Sequence, residues 1–191
     1  TAVAISSGHH THTCAILDNG AVSCWGYNGY YQLGNGGSSS QWNPTLTSSL
    51  GINRTAVALS AGEYHTCAIL DNGAVSCWGE GANGQLGNGI ATIKTTPTLT
   101  SSLGTNRTAV AISSGNLHTC ALLDDGTVSC WGKDNLGQLG NGATTRYTPT
   151  LTSSLGTNRT AVDISSGKHH TCAILDNGAV SCWGYGALGQ L

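Results

Sequence analysis

Cysteine and histidine are the residues of this chain whose types and spacing could do chemistry. His12 precedes Cys14 and Cys24, and the trio returns as His65, Cys67 and Cys77, as His118, Cys120 and Cys130, and as His170, Cys172 and Cys182. Two thiols and an imidazole per unit could ligate a metal, cycle as a dithiol, or be fixed as a disulfide. Thiolate metal sites usually place their ligands closer in sequence than C-x9-C, so metal is the lesser reading. For each repeated histidine, a polar side chain tying a turn to its neighbour is a simpler role than lining a common axis as a ligand.

Other reactive groups lead nowhere by subtraction. Of nine carboxylates, Asp18, Asp71, Asp124, Asp125 and Asp176 sit in short Asp-Asn-Gly or Asp-Asp-Gly turns, leaving Glu63, Glu80, Asp134 and Asp163 scattered. No Ser or Lys stands in a nucleophile motif, and G-Q-L-G-N-G has neither the helix nor the Lys-Ser/Thr that a phosphate-binding loop needs. The expectation is a protein that is not an enzyme and takes no cofactor. Seven Lys plus Arg, thinly spread at a net charge of -2, offer no basic face for nucleic acid. Apolar runs are too short for insertion in a membrane.

The elements that position the cysteines follow from the turn between them. With Asp18-Asn19-Gly20 as a three-residue loop closed by a left-handed glycine, Leu17 pairs with Ala21, Ile16 with Val22 and Cys14 with Cys24. Opposed residues of an antiparallel pair are neighbours, so the register predicts disulfides Cys14–Cys24, Cys67–Cys77, Cys120–Cys130 and Cys172–Cys182. Each closes a loop of about eleven residues, worth roughly 2–3 kcal/mol through the unfolded chain.

The first cysteines of successive trios lie 53, 53 and 52 residues apart, and a fixed period near 50 means stacked supersecondary units. Each unit carries four short extended runs (AVAISSG, HTCAIL, AVSCWG and PTLTSSL) punctuated by Gly, Asn and Pro, and no segment has a helical period. The fold class is all-β, in four-stranded antiparallel blades, with about 3.6 repeats at 1–54, 55–107, 108–159 and 160–191. The last repeat lacks its fourth strand, and the chain opens at Thr1 without initiator Met or signal peptide, as a mature, trimmed or partial chain does.

G-x-x-H-T-C-A-I-L-D-N-G-A-V-S-C-W-G, then G-Q-L-G-N-G and a Pro-led strand, resembles the repeat of the regulator of chromosome condensation, or RCC1-like, β-propellers. Gly62, His65, Gly73, Trp78-Gly79, Gly84 to Gly87 and Pro97 carry the resemblance in the second unit, and Gly115, His118, Gly126, Trp131-Gly132, Gly137 to Gly140 and Pro149 in the third. It covers all 191 residues. The family implies a seven-bladed propeller used mostly as a protein-binding platform, whose members include a guanine-nucleotide exchange factor, a plant photoreceptor and a β-lactamase inhibitor. This chain departs in its cysteine pairs and its repeat number, so it is an open array or part of a larger propeller.

Facing cysteine pairs point to an oxidising compartment, hence an extracellular or cell-surface location. Asn53-Arg54-Thr55, Asn106-Arg107-Thr108 and Asn158-Arg159-Thr160 are N-glycosylation sequons, whereas Pro44 excludes Asn43; a plain polar turn copied by duplication is the competing reading.

Comparison of the units places their variation on one face. In an up-and-down blade the first and third turns share a face, and these differ: His9-His10-Thr11, Glu63-Tyr64, Asn116-Leu117 and Lys168-His169, then the loops after each Trp-Gly. The candidate contact residues are Tyr30, Tyr31, Trp42, Tyr64, Glu80, Lys133, Tyr147 and Tyr185, since aromatic residues with few charges suit interface cores. Unconstrained loops also vary, which is the competing explanation. Two functions remain. The unfinished blade favours a self-assembling structural scaffold joined end to end or completing a ring. The alternative is a segment of a closed propeller whose variable face binds a protein or glycan.

Overall fold

The computed structural model describes residues 1–9, 11–142 and 144–191. Its strands, in chain order, are β1 Ala2–Ser7, β2 His12–Leu17, β3 Val22–Gly26, β4 Gln41–Leu46, β5 Ala56–Ala61, β6 His65–Leu70, β7 Val75–Gly79, β8 Lys94–Leu99, β9 Ala109–Ser114, β10 His118–Leu123, β11 Val128–Gly132, β12 Arg146–Leu151, β13 Ala161–Ser166, β14 His170–Leu175 and β15 Val180–Gly184. They form three four-stranded sheets and one three-stranded sheet, each strand hydrogen-bonded to its sequence neighbour. No helix occurs among the described residues. β1, β5, β9 and β13 touch in succession and are the inner strands; β4, β8 and β12 are the outer ones.

Each blade is built on the central hairpin. Gly20 adopts φ 75° and returns its amide to the Leu17 carbonyl at 2.8 Å, the left-handed closure that an L side chain resists. Leu17 and Ala21 then bond, Cys14 lies opposite Cys24, and all eight cysteines are disulfide-bonded within their own hairpins.

The core lies between blades. Because strand side chains alternate, β2 and β3 present Cys14, Ile16, Val22 and Cys24 to the next blade, which returns Ala56, Ala68 and Trp78. The second and third interfaces repeat this set around Cys67 and Cys77, then around Cys120 and Cys130. Strands β6 and β10 have a blade on each side, and every residue in them is buried.

The repeated polar residues clasp these interfaces. The hydroxyl of Thr66 donates to the Gln32 carbonyl at 2.9 Å, so its oxygen accepts from His12 Nε2–H at 2.7 Å. Thr119 joins His65 to Gln85 in the same way, and Thr171 joins His118 to Gln138. His65 and His118, whose Nδ1 atoms have no partner among the described residues, are thereby the Nε2–H tautomer, whereas His12 Nδ1 also lies 2.9 Å from Thr11 Oγ1. Burial holds the imidazole of His12 down to about 4 and those of His65 and His118 to about 3. Gln85 O also accepts from Trp131 Nε1 at 2.9 Å, and a Cβ on Gly87 would lie 2.7 Å from that indole. G-Q-L-G is therefore the seat for the next blade's tryptophan.

The outer strand departs from expectation. Trp42 and Tyr147, read from sequence as loop contact residues, lie inside β4 and β12, whereas the SSL residues fall outside the fourth strands. Pairing between β7 and β8 runs Ser76 with Leu99 and Cys77 with Thr98, then shifts before Gly79 with Lys94. Pro97 sits in that irregularity, on an edge where its missing N–H costs no ladder bond. Pro therefore lies within the strand instead of leading it.

Candidate functional site

The two variable loop families meet on one face. Where each third strand ends, the chain bonds back to the turn after the first: Tyr27 N to Thr11 O at 2.7 Å, and Glu80 N to Tyr64 O, Lys133 N to Leu117 O and Tyr185 N to His169 O, all at 2.9 Å. The near-invariant hairpin turns lie on the opposite face, where Ala56 N donates to Gly20 O and Asp71 N to Thr55 O, both at 2.9 Å. His10 lies outside the described residues.

The candidate residues do not form one continuous patch. Tyr30 of the first blade and Tyr64 of the second meet with ring centroids 4.6 Å apart and planes tilted by 41°, and Tyr27 meets Tyr30 edge-on at 6.3 Å. Glu80 is half-buried nearby; burial, and then the charge of Glu63, push its carboxyl above the ordinary range. Tyr31 is half-buried with φ 62° at the position that Gly84, Gly137 and Gly189 occupy elsewhere. Lys133 and Tyr185 begin the corresponding loops of the third and fourth blades and are half-buried. Trp42, 94% exposed, and Tyr147 stand on outer strands, Tyr147 beside Gly84. They are thus rim residues, because the strand begins earlier than its proline suggests.

Two members of this surface, Tyr27 and Glu63, fall within the variable turns read from sequence but outside the candidate contact residues chosen from them. Tyr27 completes the aromatic group across the blade boundary, and within the second blade Glu63 lies close enough for its charge to act on Glu80. No group of three or more His, Cys, Asp or Glu is placed to hold a metal among the described residues. No helix there is long and apolar enough to cross a membrane.

The face with the hairpin turns differs in character. Asn53, Asn106 and Asn158 are exposed and adopt φ of 53–55°, the left-handed region that Asn tolerates better than most residues. Arg54, Arg107 and Arg159 reach Asp71, Asp125 and Asp176 at 3.0, 2.6 and 3.2 Å. Three equivalent grooves of about 190, 230 and 170 Å³ lie beside these turns. Small-molecule sites usually span roughly 300–1,000 Å³.

The sequence profile of the regulator of chromosome condensation (RCC1) repeat matches residues 19–69, 72–122 and 125–174, and a second profile of that repeat matches 2–32, 56–85, 109–138 and 161–190. The human E3 ubiquitin-protein ligase HERC2 is 33% identical over 177 residues, 91% of this chain and 4% of that protein. The ultraviolet-B receptor UVR8 of Arabidopsis thaliana is 31% identical over 180 residues, 94% of this chain and 40% of the receptor. Among solved structures, Prp20p of Saccharomyces cerevisiae superposes with a TM-score of 0.84 at 23% identity, covering 99% of this chain and 45% of Prp20p. The chain thus spans less than half the length of these relatives.

Proposed function

The chain belongs to the RCC1 repeat family, and from that membership we propose that it is a non-enzymatic binding platform, a run of propeller blades whose variable face holds a protein partner. The observation that carries this reading is the meeting of Tyr27, Tyr30 and Tyr64 across a blade boundary on the face where the repeats differ. Aromatic side chains anchored in a rigid scaffold supply contact area at little entropic cost, and loops on such scaffolds are where function concentrates. The Prp20p structure, described by its binding properties to Gsp1p and histones, supplies a precedent of the same fold.

The same reading places the protein outside the cell or at its surface. Support comes from four buried or half-buried disulfides and from three exposed sequon asparagines on the face away from the contact surface. Glycans there would leave the variable face open.

Affinity capture by the immobilised full chain tests the platform, with two matched variants. One carries Tyr27→Ser, Tyr30→Ser and Lys133→Ser on the variable face; the other carries Asn53→Gly, Asn106→Gly and Asn158→Gly opposite. Proteins retained by the wild type are expected to be lost with the first variant and kept with the second. Retention indifferent to the first variant rules the platform out.

Self-association is a second reading, favoured by one observation. Ile174 and Val180 of the fourth blade are 42% and 65% exposed, although Ile69 and Val75, their equivalents in the second blade, are 1% exposed each. End-to-end or ring-completing contact between copies would cover this face, in the manner of a structural scaffold, as would a further blade of a longer chain.

A further inference from the structure

The sequence contains six tyrosines and two glutamates, and the first blade boundary gathers most of them. Tyr27, Tyr30 and Tyr31 come from the loop after β3, Glu63 and Tyr64 from the turn before β6, and Glu80 from the end of β7. The equivalent positions at the other boundaries hold Asn116, Leu117, Lys168 and His169, so this combination occurs once.

Its electrostatics are unfinished. Asp71, Asp125 and Asp176 each have an arginine, and Asp18 has the terminal ammonium. Glu63 and Glu80 have no ion-pair partner among the described residues. They lie close enough for the charge of Glu63 to reinforce the effect of burial on Glu80. Interaction with the neighbouring Glu63 carboxylate pushes the Tyr64 phenol up. Two neighbouring carboxylates repel each other, and a positive ligand beside them would relieve that repulsion.

The aromatic geometry suits the same ligand. Tyr27 and Tyr30 are 46% and 36% exposed, and their edge-on contact leaves ring surface open to solvent. A ring face attracts a cation within about 6 Å of its centroid, and more strongly when water is excluded.

We infer that the boundary between the first and second blades is a binding site for a cationic side chain, lysine or arginine, of the protein partner, held against Tyr27, Tyr30 and Tyr64 and neutralised by Glu63 and Glu80. The inference rests on the platform reading and names what the platform recognises. Glu63 and Glu80 supply charge and the tyrosines supply ring faces; Glu63 precedes Tyr64 in the chain and Glu80 N donates to Tyr64 O at 2.9 Å, so both acids are tied to the aromatic group.

The test is a titration of the full, ¹⁵N-labelled chain with the N-acetyl methylamides of arginine, lysine and norleucine. Arginine or lysine amide is expected to give saturable shifts confined to residues 27–32, 63–65 and 80–81, with norleucine amide about tenfold weaker or silent. Glu80→Gln and Tyr30→Ala should each weaken the cationic amide, and added salt should weaken it in the wild type but much less in Glu63→Gln. The conservative glutamines keep the test valid should Tyr30→Ala disturb the loop. Equal response to norleucine, shifts centred on another boundary, or no shift with any amide overturns the site. Loss of amide binding with capture still dependent on the variable face removes only the cation site. Amide binding without such capture removes only the platform.

Discussion

Trp78 Nε1 donates to the main-chain carbonyl of Gln32, 2.9 Å away in the preceding blade, and Trp131 repeats the bond to Gln85. One main-chain oxygen also receives the hydroxyl proton of Thr66, or of Thr119, so each G-Q-L-G turn anchors two side chains of the next blade.

Replacement of Trp131 separates the packing from the hydrogen bond. The ring is fully buried, so Trp131→Ala should cost about 3–5 kcal/mol. Trp131→Phe keeps most of the ring, and Gln85 O keeps its bond from Thr119, so the cost should fall to about 2 kcal/mol. Urea unfolding of the two variants checks the order; equal costs would mean that the hydrogen bond dominates.

The buried histidines make stability depend on pH with a definite sign. Burial holds His12 down to about 4 and His65 and His118 down to about 3 when folded, against about 6.5 unfolded. Below pH 6.5 the unfolded chain binds protons that the folded chain refuses. Their stabilising contribution is therefore complete above pH 6.5 and lost as the pH falls toward 3 to 4, by about 1.4 kcal/mol per pH unit for each fully shifted histidine. Urea midpoints measured from pH 7 to 4.5 should fall more steeply for the wild type than for His65→Gln. Parallel slopes would show that His65 already titrates in the folded chain.

Asn106 has a conformational role separable from any glycan. Its φ of 55° suits Asn or Gly, so Asn106→Gly should leave stability within about 0.5 kcal/mol, while Asn106→Val should cost about 1–2 kcal/mol. In a secretory host, Asn106→Gly and Thr108→Ala should each remove the same glycan mass, but only the second breaks the Thr108 hydroxyl bond to Asp124. Intact-mass and thermal measurements on the three variants give both answers. Unchanged mass in both would mean that the sequon is only a turn.

Local features of this fold were legible because they are set within a few residues. Asp18-Asn19-Gly20 dictates its own turn, and the turn dictates that Cys14 faces Cys24. The four-stranded blade follows from the same reading repeated at a fixed period. What stayed hidden depends on neighbours distant in sequence: Thr66 links His12, 54 residues before it, to Gln32, 34 residues before it, and Glu63 lies close to Glu80 at the far end of the same blade's hairpin. Two clues were present in the letters and passed over. Tyr31 stands where later copies have Gly84 and Gly137, which marks a left-handed position, and so does an Asn placed two residues after the Gly of S-L-G-T-N-R. Trp42 and Tyr147 were misplaced because a proline ordinarily ends or begins a strand, and on an outer edge it need do neither.

The fourth blade offers a direct test of what covers its face. Ile69 is 1% exposed between two blades, and truncating a buried isoleucine costs about 2–5 kcal/mol, so Ile69→Ala should lie in that range. Ile174 occupies the equivalent position in the last sheet at 42% exposure, beside the half-buried disulfide Cys172–Cys182. In an isolated chain Ile174→Ala should therefore cost less than about 1 kcal/mol, independent of protein concentration. A face covered by a second copy behaves differently. The variant would then cost nearly as much as Ile69→Ala at high concentration and little on dilution, because association stabilises by mass action. Urea unfolding of both variants over a hundredfold range of concentration, with sedimentation equilibrium on the same samples, decides between them. A concentration-dependent cost for Ile174→Ala supports self-association, and a small constant cost leaves the face free for a flanking blade.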